Sequence, residues 1–210
     1  MKKIIFLAAA ISLVTACHKE PYPQDRDGEF LVYTVKGDVS DFSGFTTYYI
    51  ADEVMVVGEN GKAEASTTSN ALSLVNEVRK MMESRGYTYE ADKTLADLGL
   101  QLTYMEETTR YLNYVSDPYW WLDYPGYWGS GYWGNYGGWY HPYPVTYTYS
   151  TTSLVLDMVD RTAAQGEDQK LPVIWSAFIG GETGYANRDV FKLRAGIDQA
   201  FMQSSYIEKK

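Results

Sequence analysis

This 210-residue sequence predicts an α+β fold: a largely antiparallel sheet of about five to six strands with two helices packed on one face. Three observations carry that expectation. Leu98, Leu100, Leu102 and Tyr104 alternate with Gly99, Gln101, Thr103 and Met105, the two-residue period of a strand with one buried face. Two longer stretches, Ser69 to Ser84 and Asn187 to about Ser204, place their apolar residues three and four apart, as amphipathic helices do. The elements follow one another as strands, helix, strand, hairpin and helix, an order that suits helices laid on one face of an antiparallel sheet.

The chain opens with Lys2 and Lys3, followed by Ile4 to Val14 without a charge, the pattern of a secretory signal. That run is shorter than the ~20 residues a membrane-spanning helix needs. Val14, Thr15, Ala16 and Cys17 then resemble the lipobox of bacterial lipoproteins: an aliphatic residue, two small ones and a cysteine. The resemblance implies cleavage after residue 16 and acylation of Cys17, including a palmitate-type amide chain. Acyl chains contribute ~0.8 kcal/mol per buried methylene, so more than one of them anchors a protein stably. A plain secretory signal ending in Ala-Cys is the competing reading, although Cys17 is the only cysteine and has no disulfide partner within the chain. His18 stands where an Asp resembles an inner-membrane retention signal, so the expected address is the cell envelope, as an outer-membrane lipoprotein facing the periplasm or the surface.

Residues 17–27 contain Pro21, Pro23 and several charges and read as a solvated tether, leaving residues 28–206 as a single domain. Of the 18 Lys and Arg, Lys2 and Lys3 belong to the signal, so 16 basic side chains face 27 acidic ones in the remainder. That balance excludes nucleic acid as a partner and gives no electrostatic reason to bind anionic lipid. The expected membrane contact is the N-terminal lipid.

Phe30 to Val35, Phe45 to Ile50 and Val54 to Val57 are short β-prone runs, broken by Gly37, Gly44 and Ala51-Asp52-Glu53. Gly58 to Thr68 reads as a polar loop. The first helix follows, with Leu72, Val75, Val78 and Met82 as its stripe and Leu74 and Met81 on the flank. Thr68 or Ser69 caps its start, and Gly86 supplies a left-handed end. After the strand at Leu98 to Met105, Ser153 to Asp160 and Val173 to Phe178 form an antiparallel hairpin with a long polar tip from Arg161 to Lys170. Leu154, Leu156 and Met158 face the core, with Trp175 in the partner strand. In the last helix Val190, Leu193, Ile197, Ala200 and Phe201 point inward, and Lys192 and Arg194 point to water.

In sequence order, several short motifs resemble a bacterial lipoprotein family known as DUF4136, a domain of unknown function. Asp41-Phe42-Ser43 with Phe45, Thr47 and Tyr48 is similar to its early motif, and Arg85-Gly86-Tyr87 to the end of its first helix. Asp97-Leu98 resembles its strand entry, and Leu154 to Asp160 with Ile174-Trp175 its hairpin. The likeness spans roughly residues 40 to 203; the family's closing Phe-Pro is replaced here by Ser204 to Lys210. It implies a fold and an envelope location, and it supplies no catalytic residues to transfer.

The chemistry-bearing residues point away from catalysis. Asp157 and Asp160 are three apart in a strand and face opposite sides, so the expected arrangement is one solvated acid and one at the strand end. Glu106-Glu107 reads as a strand terminus. His141 has no companions for a triad or a zinc site, and Gly180 to Gly184 lacks the Gly-Lys of a phosphate loop. No cofactor or metal site is expected.

The anomaly is the insert at residues 117–149. Between Tyr119 and Tyr149 lie nine Tyr, five Trp and six Gly, with Asp123 as the only charge. Flat rings with polar edges, spaced by glycine, suit sugar rings, peptides or protein surfaces. Trp120, Trp121, Tyr127, Trp128, Tyr132, Trp133, Tyr136, Trp139 and Tyr140 are therefore the candidate ligand-binding residues, for an envelope polysaccharide, peptidoglycan or a protein. A low-complexity segment that packs on its own sheet is the bland alternative. Two other functions compete: a structural subunit of an envelope assembly, with the insert buried between copies, and a hydrolase of envelope polymers, which needs Asp117 or Asp123 beside Asp157.

Overall fold

The computed structural model describes residues 31–37, 41–57, 63–105, 139–140, 153–163, 171–180 and 187–209. The elements are β1 (Leu31–Lys36), β2 (Thr47–Ile50), β3 (Val54–Val57), β4 (Ala63–Ser66), α1 (Ser69–Ser84), β5 (Thr88–Tyr89), β6 (Leu98–Met105), β7 (Trp139–Tyr140), β8 (Ser153–Asp160), β9 (Leu171–Gly180) and α2 (Asn187–Gln203). The α+β class and the two helices are as expected, but the strands among the described residues outnumber the expected five to six. β4 lies within the stretch read as a polar loop, and β5 and β7 are two-residue strands too short to leave a period.

The sheet runs β1-β9-β8-β6-β2-β5. Its long ladders, β1/β9, β9/β8, β8/β6 and β3/β4, are antiparallel. The parallel pairings are short: β2 and β3 lie in series along one edge of β6, at Leu98–Leu100 and at Thr103–Met105, and β5 pairs with β2. The break between β2 and β3 falls at Ala51-Asp52-Glu53, where Arg79 of α1 reaches Asp52 at 2.7 Å.

Capping chemistry sets the bounds of α1. The Thr68 side chain accepts a hydrogen bond from the Ala71 N–H, satisfying one of the orphan donors of the first turn. At the other end Gly86 has φ 87°, the Gly86 N–H donates to the Glu83 carbonyl, and the Tyr87 N–H donates to Met82, the Schellman pattern. A Cβ at Gly86 would also meet the Lys209 Cβ at 3.3 Å. The buried face of α1 is rotated from the expected stripe. Leu74 is buried and Leu72 only half-buried, and Glu77 sits inside the face beside Val78.

The α2 stripe is as expected: Val190, Leu193, Ile197, Ala200 and Phe201 are all buried. Both helices cover the sheet face bearing Leu98, Leu100, Leu102, Leu154, Leu156, Met158, Trp175 and Ala177, and these residues form one apolar core. Each of the Leu and Met side chains among them contributes ~1.5–3 kcal/mol when fully buried. β6 is buried on both faces, since all eight of its residues are inaccessible. Hence its second face, with Gln101 and Thr103, is interior as well.

Candidate functional site

Most of the sequence-predicted site residues, Cys17, Trp120, Trp121, Tyr127, Trp128, Tyr132, Trp133 and Tyr136, lie outside the described residues, as do His141, Asp117, Asp123, Glu106 and Glu107. Trp139 and Tyr140 form β7, which runs parallel to the start of β9 with Trp139 opposite Leu171 and Tyr140 opposite Pro172. The described part of the aromatic insert is therefore paired through its backbone to the sheet. It falls where the aromatic insert meets the hairpin strand that also carries Trp175.

The two acids weighed as a catalytic pair are both placed. Asp157 is 4% exposed and accepts a 2.6 Å hydrogen bond from Ser176 Oγ, its direct neighbour across the β8/β9 ladder. The expectation of a solvated Asp157 is thus wrong. Gln101 lies opposite Asp157 on the other side, and its Nε2 donates to Thr103 Oγ1 at 3.2 Å. Gln101, Thr103, Asp157 and Ser176 make a buried polar row on the sheet face away from the helices. The two hydrogen bonds, Gln101 to Thr103 and Ser176 to Asp157, offset part of the cost of burying these groups. Asp160 ends β8 as foreseen, and its Oδ1 accepts from the Thr162 and Ala163 N–H groups and from the Thr162 hydroxyl.

A second charged group lies between the helices. Glu77 is 3% exposed; its Oε2 accepts from Arg194 Nε at 2.7 Å and from Nη2, and its Oε1 accepts from Lys80. Burial alone would push the Glu77 carboxyl up, but the hydrogen bonds from Lys80 and Arg194 outweigh it and hold the group below the usual carboxylate range. Asp198 is raised, by burial first and by the Glu77 charge second. Arg194, expected to face water, is half-committed to this clamp. The signal for it was present in the sequence, because Glu77 falls in the inward register of α1 with Leu74, Val78 and Met81.

The residues that carried the family resemblance turn out to be structural. Asp41 accepts from the Ser43 N–H and hydroxyl, closing the turn that buries Phe42 and Phe45. Asp97 Oδ2 accepts the Thr46 and Thr47 N–H groups at 2.7 and 3.0 Å, and the Asp97 N–H donates to Thr47 Oγ1, which locks β2 to the entry of β6. Arg85 donates to the Phe201, Ser205 and Ile207 carbonyls and so caps the end of α2. The Tyr87 hydroxyl donates to the Phe42 carbonyl, and burial, with the nearby Asp41 charge, pushes its pKa up to about 12.

A domain of unknown function, DUF4136, matches residues 32–204. A solved DUF4136 family protein from Bacteroides thetaiotaomicron VPI-5482 is 38% identical and superposes with a TM-score of 0.74, covering 88% of this chain and 100% of its own. PelC of Paraburkholderia phytofirmans, solved as a dodecamer, is 12% identical with a TM-score of 0.39 over 87% of this chain and 99% of its own, a likeness too low to bear on this one. Nothing matches among curated proteins.

Proposed function

This chain belongs to the DUF4136 family, and from that premise we propose that it is a non-enzymatic binding module of the outer membrane, held by an acylated Cys17 and presenting its aromatic insert to an envelope polysaccharide, peptidoglycan or protein. One observation carries the reading. The chain places 14 of its 26 Tyr and Trp rings between Tyr119 and Tyr149, where the only charge is Asp123. Such a stretch is too apolar for a passive linker, and β7 fastens its far part to the sheet at β9. Tyr and Trp give large contact areas at low conformational cost, the property binding surfaces draw on. Asp157, the acid a hydrolase would need beside the insert, is spent on Ser176 inside the sheet.

The anchor is tested first in cells. Cys17→Ser is expected to block labelling with radioactive palmitate and to move the protein from the membrane fraction to the soluble fraction or leave it as an unprocessed precursor. Normal processing with full membrane retention would refute the anchor. The binding role is tested separately, by titrating the mature chain with peptidoglycan fragments and polysaccharides while following tryptophan emission, since five of six Trp lie in the insert.

A further inference from the structure

On the sheet face turned away from α1 and α2 stand Gln101, Thr103, Val155, Asp157, Val159 and Ser176, and none of them is more than 4% exposed. A sheet face left to water keeps its central side chains accessible, so burial this complete requires a second layer of chain over it. Among the described residues no element supplies that layer: both helices pack on the opposite face, and every described strand is paired edge to edge within the sheet. Asp157, Ser176 and Phe178, all on the second face, each engage a further partner besides the Asp157–Ser176 bond and the stacking of Phe178 on Tyr33.

The strand ends say which part of the chain lies there. Met105 stands opposite Ser153 and Ser153 opposite Gly180, so β6 ends, β8 begins and β9 ends at one pole of the sheet. Trp139 and Tyr140 pair with Leu171 and Pro172 at the other pole, where Leu98 stands opposite Asp160. Residues 106–138 therefore lead from the first pole to the second, and residues 141–152 lead back. The return has to cover the length of β8, eight residues or roughly 26 Å. Its twelve residues reach at most roughly 40–43 Å. Little slack is left for a detour around an edge of the sheet. The helix face is filled by the two helices, and the second face lies directly between the two ends of the path. Residues 145–150 read Val-Thr-Tyr-Thr-Tyr-Ser, a two-residue alternation that suits a face mixing Val155 and Val159 with the Asp157 row.

We infer that residues 141–152 cross the second face of the sheet and cover its polar row, so that the ring-rich residues 119–136 are held at the Leu171 pole. β1 begins opposite Gly180, at the first pole. The rings accordingly stand roughly 26 Å from the place where the tether enters, at the opposite end of the sheet. This orientation serves capture only on the binding reading proposed above, whereas the cover itself does not depend on it.

The test uses disulfide trapping. Residues 18–210 include every described residue and contain no cysteine, so the lipid-free mature chain serves. Thr103→Cys is combined with Tyr147→Cys or with Thr148→Cys; successive side chains of an extended chain point to opposite sides, so one of the two faces the sheet. Mild oxidation at low protein concentration is expected to close an intramolecular disulfide in one of these pairs, read as a faster band on a non-reducing gel that reductant abolishes. Thr103→Cys with Leu95→Cys, which changes an exposed side chain in the loop before β6, should not close. Thr103→Cys alone should react with a maleimide only after unfolding in urea. Thermal midpoints show that each variant is folded, and where Thr103→Cys lowers the midpoint, Val155→Cys, its ladder neighbour, takes its place. Failure of both pairs to close overturns the inference, and so does a native single variant that the maleimide labels at once. Disulfides formed only between two chains would overturn it in favour of a second copy as the cover. No ligand enters the test: closure in a chain that captures no polymer would refute the proposed function and leave the cover standing.

Discussion

Trp175→Ala should destabilise the domain by ~3–5 kcal/mol, the range for removing a fully buried large aromatic. Trp175 is completely buried, lies opposite Met158 in the β8/β9 ladder, and packs against Phe201 with ring centroids 5.3 Å apart. Its Nε1 donates at 2.9 Å to the Oγ of Ser204, a buried residue just past the end of α2. One side chain therefore joins the central hairpin to the last helix through both packing and a hydrogen bond. Trp175→Phe keeps most of the packing and removes the donor, so its cost should be smaller, about 1–3 kcal/mol. Urea unfolding of the three proteins checks the order. An unchanged midpoint for Trp175→Ala would mean that β9 does not have the register described.

The second large effect belongs to the clamp between the helices. Arg194→Met should cost about 2–3 kcal/mol at neutral pH. Breaking a buried ion pair from one side typically costs ~3–5 kcal/mol, and the lower figure applies because Arg194 is itself half-exposed and Lys80 stays on Glu77. The sign of the pH dependence follows from the shifts. Glu77 is held below its ordinary value of 4.5, so its contribution is complete above that value and is lost as pH falls through the folded one. The gap between wild type and Arg194→Met should accordingly narrow below pH 4.5. Asp198 has the opposite sign: it is raised above 3.8, so its favourable contribution exists at low pH and disappears as pH rises through its folded value. At neutral pH the charge on Asp198 opposes folding, and Asp198→Asn should raise the thermal midpoint there. Thermal melts from pH 3 to pH 8 decide both points; a midpoint lowered by Asp198→Asn at neutral pH would contradict the assignment.

Where one physical signal dominated, the sequence could be read directly. Thr68 and Gly86 bracket α1 chemically, and the alternation in Leu98–Met105 marks the extent of β6, although the single buried face it implied is wrong because both faces are covered. Other features left no such trace. β4, Ala-Glu-Ala-Ser, is a strand only because β3 offers it a ladder, and its residues carry no β preference of their own. The parallel placement of β2 and β3 along one edge of β6 is a matter of topology, which periodicity does not encode. Asp157 was misread because an acid in a strand is usually solvated, whereas here Ser176 lies opposite it in the register and bonds it. Of the site, only the backbone pairing of Trp139 and Tyr140 falls within the described residues, so the aromatic concentration itself remains the evidence for the binding role.

The central claim, that the insert binds while the sheet and helices fold, is tested most directly by replacing residues 119–136 with a short Gly-Ser linker that spares β7, and measuring co-sedimentation with purified peptidoglycan sacculi and with envelope polysaccharide. Loop closure depends only weakly on length, so the variant should keep a cooperative unfolding transition near the wild-type midpoint and lose the capture that the wild type shows. A wild type that captures neither polymer, a variant that no longer folds, or a folded variant that still sediments with the polymer would each contradict the account.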